Sequence, residues 1–409
     1  MRRLSVPAIV VVFFALRIPL LIVRRPFFDE LFTRWISTKS FSGILGALHY
    51  DSGPPLYYFL VHLIGDPSIA VVRCVSLLAA TIALAALLIR KQVLAAALLA
   101  VFPPAVLFAV DARAYALCAM FVTIGVLLID DRPYLCALSF VAAAYSHYYG
   151  ALFFVLLQIA QWSGGLPAAV GRAKAQRSTM RNWKAFALAL VLFSPGAFLA
   201  LHQPRESVAW IGSFPQWPEG LFTRPPIWLL TFAALLVIAL IDRMNPYALM
   251  TLIPLAIALA LRIYFPLRFE SVIAAPFVLW LGTSRRRVLF APVMAIFAAI
   301  CVIGIVDHAT RPADEYRAAA EFVRNAPGTV VASGYLYLET ISLRPAVAFP
   351  PEQALHPGWR ATARSAADLP PGPFTWIGER YAPELALIER SRRVRPLFVN
   401  GRAAVVRVN

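Results

Sequence analysis

Apolar residues fill most of this chain in long runs, and short polar or basic turns separate them. Runs near the ~20 residues that cross a bilayer fall close to 6–23, 67–89, 92–110, 114–129, 133–147, 149–163, 185–202, 226–241, 246–262, 269–284 and 288–306. This pattern predicts about eleven transmembrane helices. The fifth and sixth runs share "YLCALSFVAAAYSHYYGALFFVLLQIAQW", which is short for two full spans, so a broken or re-entrant hairpin is the alternative there. A different pattern occupies the first polar interval. In "FFDELFTRWIS", Leu31, Phe32, Trp35 and Ile36 fall on one helical face. Such a helix is expected to lie on the membrane surface with its apolar side down. It would hold the adjacent acids Asp29 and Glu30 at the boundary between lipid and water, where carboxylates are costly unless paired or solvated. One account is that Asp29 caps the helix and Glu30 sits on its positive end. The other is chemistry.

From about Arg311 the pattern turns soluble. "PADEYRAAAEFVRNAPGTVVASG" reads as a helix, a turn and a buried strand. Further strands are expected at "AVAF", "FTWIG", "RPLFV" and "AAVVRV", with a helix at "PELALIERSRR". The chain therefore divides into a transmembrane region, 1–308, with a first outer loop at 24–66, and a small extracytoplasmic α/β domain, 309–409. No internal repeat or low-complexity linker interrupts either part.

Composition agrees. The chain is 60% hydrophobic and 14% charged, with mean hydropathy +0.71, against roughly 25% charged and 45–50% apolar in soluble domains. A soluble fold is excluded. The net charge of +17 is spread over loops and the flanks of apolar runs, which suits anionic lipid head groups rather than nucleic acid. Arg90, Lys91, Arg132, Arg172, Lys174, Arg177, Arg181, Lys184, Arg243 and Arg285 to Arg287 fall on alternate turns. They set the N-terminus inside and, after an odd number of spans, the C-terminus outside. Arg24, Arg25, Arg34 and Lys39 in the first outer loop run against that bias, as a site for an anionic lipid would. Cys74, Cys118, Cys136 and Cys301 lie inside apolar runs without metal-ligand spacing and read as small apolar residues. The first apolar run is longer than a signal-peptide core and lacks a small-residue cleavage site, so it is expected to remain as a span.

In this topology Asp29, Glu30, Asp51, Asp111, Arg113, His147, His202, Arg262, Arg268 and Glu270 all map to the outer side. A secondary transporter needs ionisable groups or broken helices near the bilayer midplane. One polar face of carboxylates, arginines and aromatics favours an enzyme at the outer interface. A carrier or flippase for a lipid-linked solute is the alternative, and a scaffold without catalysis a third.

"FFDELFTRWI", "DSGPPLYYFLVHLIG", "DARAYAL" and "SHYYGALFF", in that order, resemble the GT-C glycosyltransferases. The resemblance is to the family 39 branch, related to bacterial lipid A sugar transferases and protein O-mannosyltransferases. It implies a helical polytopic fold with an extracytoplasmic tail, in a bacterial inner membrane. The implied reaction is inverting transfer from a polyprenyl-phosphate sugar to a glycan, lipid or protein acceptor. No nucleotide sugar is involved, so no Gly-rich loop is expected. No metal is required, although some members use a divalent ion. Carried over motif by motif, Asp29 is the base and Glu30 orients it or holds the sugar. Asp111 faces sugar or a divalent ion, Arg113 lies near the phosphate with Tyr115 beside it, His147 touches sugar or phosphate, and Arg268, followed by Phe269, binds the carrier phosphate. The competing accounts are capping for Asp111, snorkelling for Arg113 and Arg268, and interfacial anchoring for the tyrosines. "ESVAWIGSFPQWPEG", with Trp210, Pro215 and Trp217, resembles the loop that covers such a site. One departure stands out. Gly53 precedes Pro54 and Pro55 where members often have His, leaving His49 as the nearest substitute.

Overall fold

The computed structural model describes residues 5–65, 68–129, 132–159, 172–204, 237, 246–283, 290–355 and 365–409. Among the described residues it is mainly helical, with one small sheet near the C-terminus. The chain forms two compact units: Met1–Arg24 with Asp51–Ala309, and Arg25–Tyr50 with Thr310–Asn409.

In the first unit, among the described residues, helices at Val6–Val23, Ile69–Ile89 and Trp183–His202 and the stretch beginning at Phe290 are long and apolar enough to cross a membrane. Shorter apolar helices span Tyr115–Leu128, Pro133–Ser146 and Pro246–Ala260. Nearly all of the span expected at 226–241, and the loop 206–220 with its tryptophans, lie outside the described residues.

Several expected spans are broken. The third is two helices, Val93–Val101 and Pro103–Phe108, joined at an extended Phe102. Pro103 starts the second helix well, because its missing N–H is not needed there. The sixth is a 3-10 turn, Tyr148–Phe153, followed by a short helix at Leu156–Ile159. The tenth is Arg268–Val272 and Ala274–Gly282.

The break in the third span leaves the carbonyls of Leu99 and Ala100 without helical partners, since the residues four further on are Pro103 and Pro104. Arg17, fully buried in the middle of the first helix, supplies the hydrogens. Its Nη1 donates to Ala100 O at 2.8 Å and Phe13 O at 3.1 Å, and its Nη2 to Leu99 O and Ala105 O at 3.3 Å. The charge also sits at the C-terminal end of helix Val93–Val101, where the dipole favours a cation. The expectation that ionisable groups keep to one side therefore missed Arg17, a mid-span cation that completes a broken helix. Arg73, likewise buried, closes the first helix by donating to Arg24 O at 2.6 Å.

The second unit holds a five-stranded sheet of β1 (Val330–Ala332), β2 (Val347–Ala348), β3 (Phe374–Glu379), β4 (Val394–Asn400) and β5 (Ala403–Val408). Its order is β2-β1-β3-β5-β4, with β1 parallel to β2 and β3 and the rest antiparallel. These strands fall on the short apolar segments where strands are expected. The helix Tyr335–Ile341 is not, because "YLYLETI" is rich in aromatic and β-branched residues and carries no side-chain cap.

This unit also contains the acidic helix, Phe28–Ser37. Phe28 meets Tyr335 edge to face, ring centroids 4.5 Å apart, and the two helices pack together. Leu31, Phe32 and Ile36 are buried in protein, which replaces the expectation of an apolar face laid on lipid. The first loop thus divides: Arg25–Tyr50 packs with the C-terminal unit, a partnership between residues distant in sequence that local pattern does not encode.

Two tests follow from these contacts. Arg17→Met leaves the Leu99 and Ala100 carbonyls unpaired and should cost about 2–4 kcal/mol, the scale of two lost charge-assisted hydrogen bonds. Thermal unfolding in detergent reads this, and an unchanged midpoint would show that the break holds without the arginine. In the second unit, burial pushes the Glu339 carboxyl up to about 7 from 4.5 despite Arg317 Nη1 at 3.3 Å. The folded chain then holds this proton more tightly than the unfolded one. Its contribution to stability is complete below pH 4.5 and is lost as pH rises through about 7. Glu339→Gln should flatten the fall of the melting temperature across that window; an unaltered slope would assign the fall to other groups.

Candidate functional site

Tyr115, His147 and Arg268 come together in the first unit, with Arg113 within electrostatic range of His147, on the irregular backbone that the broken spans create. Residues 109–114 form a loop ahead of helix Tyr115–Leu128. From its first residue, Tyr115, a chain of rings runs through the unit. Phe108 and Tyr115 are 4.9 Å apart, Tyr115 and His147 4.8 Å, His147 and Tyr149 4.4 Å, and Tyr149 and Phe269 5.0 Å. Arg268 lies against this ladder. Its Nη1 donates to Tyr115 Oη at 3.2 Å, and its guanidinium stands 4.6 Å from the Phe265 ring. A planar guanidinium fixed over aromatic faces presents its donors in the fork that matches phosphate.

Arg113 is tied to the end of the first loop and to the helix Ile69–Ile89 that follows it. Its Nη1 donates to Tyr58 Oη at 3.3 Å, and its carbonyl accepts from Ser76 Oγ at 3.2 Å. Asp111 is buried, 3.6 Å from Arg24 Nη2. It does not cap the helix, as the competing account had it, since the N-cap is Ala114, without a side-chain bond.

His147 ends helix Pro133–Ser146 in an extended conformation. Its Nδ1 accepts from the Tyr149 N–H at 3.2 Å, which places the hydrogen of the neutral ring on Nε2. Gly150 makes this turn possible. A Cβ there would stand 2.3 Å from the Ala143 carbonyl carbon. Tyr149, read from sequence only as an anchor, reaches across to Ile263 O at 2.7 Å.

Sequence reasoning also missed Gln203. Its Nε2 donates to Gly53 O at 2.8 Å, and its Oε1 accepts from Gly53 N at 3.2 Å and from Tyr148 Oη at 2.9 Å. Gly53 has φ 144, a conformation that L side chains rarely adopt. The departure from His at this position thus has a local reason: this turn requires glycine. The "DSGPP" composition signals the turn, but a lone Gln at the end of an apolar run gives no sign of its partner. His202 and Arg262, also expected on this side, are exposed.

Asp29 and Glu30 lie in the second unit. Phe27 is the N-cap of their helix and makes no side-chain cap bond, so Asp29 is not the cap that the first of the two accounts made it. Both acids occupy the first turn, Asp29 half-buried and Glu30 fully buried, where the dipole favours negative charge. Among the described residues no group of three or more His, Cys, Asp or Glu side chains is placed to hold a metal ion.

No family model matches the sequence, and no curated protein matches it. Solved structures do match the fold. ArnT from Cupriavidus metallidurans bound to undecaprenyl phosphate aligns over 98% of this chain and 97% of its own, with TM-score 0.58 and 13% identity. The same protein in the apo state aligns over 98% and 96%, with TM-score 0.58 and 15% identity. At such identity the likeness establishes the fold alone: the chain shares the fold of ArnT.

The Gln203 clamp is open to direct test. Gln203→Ala removes the acceptor of the Gly53 amide, whose hydrogen exchange should quicken by roughly tenfold or more. Unchanged exchange would mean that other contacts hold this turn.

Proposed function

We propose that this chain is an inverting glycosyltransferase of the bacterial plasma membrane. In this reading it moves a sugar from a polyprenyl-phosphate donor to a glycan, lipid or protein acceptor at the extracytoplasmic face. The observation that carries it is Arg268, held against Tyr115 beside Arg113 and His147, in a fold shared with a protein crystallised with undecaprenyl phosphate. In this reading the arginines bind the carrier phosphate. The aromatic ladder and His147, with its Nε2 hydrogen, supply ring faces and a donor for a sugar.

Transfer then runs as a single displacement. The acceptor hydroxyl oxygen forms a bond to C1 of the sugar as the bond from C1 to the phosphate oxygen breaks. Asp29 takes the hydroxyl proton, and Glu30 orients it. These two roles rest on the likeness of the "FFDEL" motif. Polyprenyl phosphate leaves with the electron pair and gains negative charge, which Arg268 and Arg113 stabilise. The scheme assigns charge neutralisation to arginine and routes no step through a metal.

The test is turnover of a panel of polyprenyl-phosphate sugars by the purified chain in lipid, with Asp29→Asn alongside. The native chain is expected to release polyprenyl phosphate. Asp29→Asn should slow release by about 10²–10⁴-fold, the usual worth of a general base, with donor affinity little changed. Full activity in that variant would remove Asp29 from the role. Passage of a lipid-linked solute across proteoliposomes without glycosidic cleavage would instead support the carrier.

A further inference from the structure

Glu270 has no part in that scheme, yet it is fully buried two residues beyond Arg268. Its Oε1 accepts the Tyr264 hydroxyl, and its Oε2 has no hydrogen-bond partner among the described residues. A carboxyl in such surroundings is costly. The backbone three residues earlier is costly too. Leu267, immediately before Arg268, has φ 70 and ψ −47, a γ-turn conformation that bulky L residues rarely adopt. Strained backbone persists only where its surroundings over-determine it.

The surroundings here are specific. Tyr264 and Glu270 close the two ends of the turn on each other, and Leu267 and Arg268 lie between them. Tyr149 Oη fixes the start of the turn at Ile263 O, and the buried Phe269 lies 5.0 Å from the Tyr149 ring. Glu270 is also the third residue of helix Arg268–Val272, whose N-cap is Leu267. From that position a carboxylate faces the open N–H groups of the first turn. An apolar residue at 270 would fill the space but would leave the buried Tyr264 hydroxyl without its acceptor.

We propose that Glu270, tied to Tyr264, is a positioning residue that holds the strained Leu267 turn so that Arg268 stands against Tyr115 to receive the carrier phosphate. The proposal rests on the reading of Arg268 as a phosphate ligand and adds the device that aims it. Glu270 itself touches no substrate.

The experiment is equilibrium binding of undecaprenyl phosphate to the full chain in lipid nanodiscs, with thermal unfolding measured in parallel. Glu270→Ala should weaken binding roughly tenfold or more, equivalent to at least one decade in Kd. Tyr264→Phe, which cuts the same tie with almost no change of shape, should weaken it in the same direction. Glu270→Gln, which still accepts from Tyr264, should lose less than Glu270→Ala. Leu267→Gly takes φ 70 without strain, so in the Glu270→Ala background it should restore part of the lost affinity. In an Arg268→Gln background, Glu270→Ala should cost little further, since positioned and positioning groups act as one. A residue that merely supports the fold would give neither the rescue nor the non-additivity. Native binding with undiminished affinity in Glu270→Ala and Tyr264→Phe overturns the positioning role alone. Failure of the native chain to bind undecaprenyl phosphate overturns the reading of Arg268, and the proposal with it. If Glu270→Ala does not fold, Tyr264→Phe and Glu270→Gln decide the matter.

Discussion

Every backbone carbonyl and N–H inside a bilayer needs a partner from within the protein, and this chain breaks its third, sixth and tenth spans. The residues expected to bind substrate stand at these breaks, while Asp29 and Glu30 lie on a separate helix in the other unit. Asp111, Arg113 and Tyr115 follow the broken third span, His147 and Tyr149 stand at the turn into the sixth, and Arg268 opens the tenth. Irregular backbone frees side chains from the 3.6-residue repeat and lets them converge. It also strips hydrogen bonds from the main chain, and the structure restores them with polar side chains. Arg17 serves Leu99 and Ala100, Tyr149 serves Ile263, and Gln203 serves Gly53. The site and its scaffold are therefore one system: each break that exposes a functional group demands a second group to close it.

That coupling explains what was legible in the sequence and what was not. The long apolar runs became helices because composition alone drives them into lipid, and the five strands fell on short apolar segments rich in Val, Ile and aromatic residues. The run 92–110 was expected as one span, although Pro103 and Pro104 inside it carry the signal for the break that the structure shows. Arg17 did not announce that it mends the break, because the carbonyls it serves lie over eighty positions away. The same holds for Gln203 and Gly53, 150 positions apart. Motifs carry the candidate site residues in short contiguous strings, whereas the groups that hold those strings in place are scattered singly. Tyr264 and Glu270 show the middle case. They are close enough to be read together, but nothing in "YFPLRFE" reveals the positive φ at Leu267 that gives the pair its task.

The buried acids make a related point about charge. Asp111 stands 3.6 Å from Arg24, Glu339 lies by Arg317 with burial outweighing that attraction, and Glu270 accepts from Tyr264. Each is a carboxyl out of water, yet the compensation differs: a paired cation, a partly offset one, a neutral hydroxyl. Residue type and burial together do not assign a role. The partner does, and by that criterion Glu270, whose partner spans a strained turn, belongs to the apparatus that shapes the backbone.

The same criterion bears on transport against catalysis. An arginine in the middle of a transmembrane helix ordinarily marks a path for ions or substrate, and Arg17 is such an arginine. For it to serve a passing solute, its Nη atoms would have to leave the carbonyls of Phe13, Leu99, Ala100 and Ala105, which would reopen the break between Val101 and Pro103 in each cycle. A transport group must exchange partners cheaply, and here every exchange would orphan backbone carbonyls in a medium without water. The mid-span charge thus belongs to the scaffold. Arg113, Tyr115, His147 and Arg268 gather around loop and turn backbone at the ends of helices instead, an arrangement suited to holding a phosphate in place while a bond to it breaks.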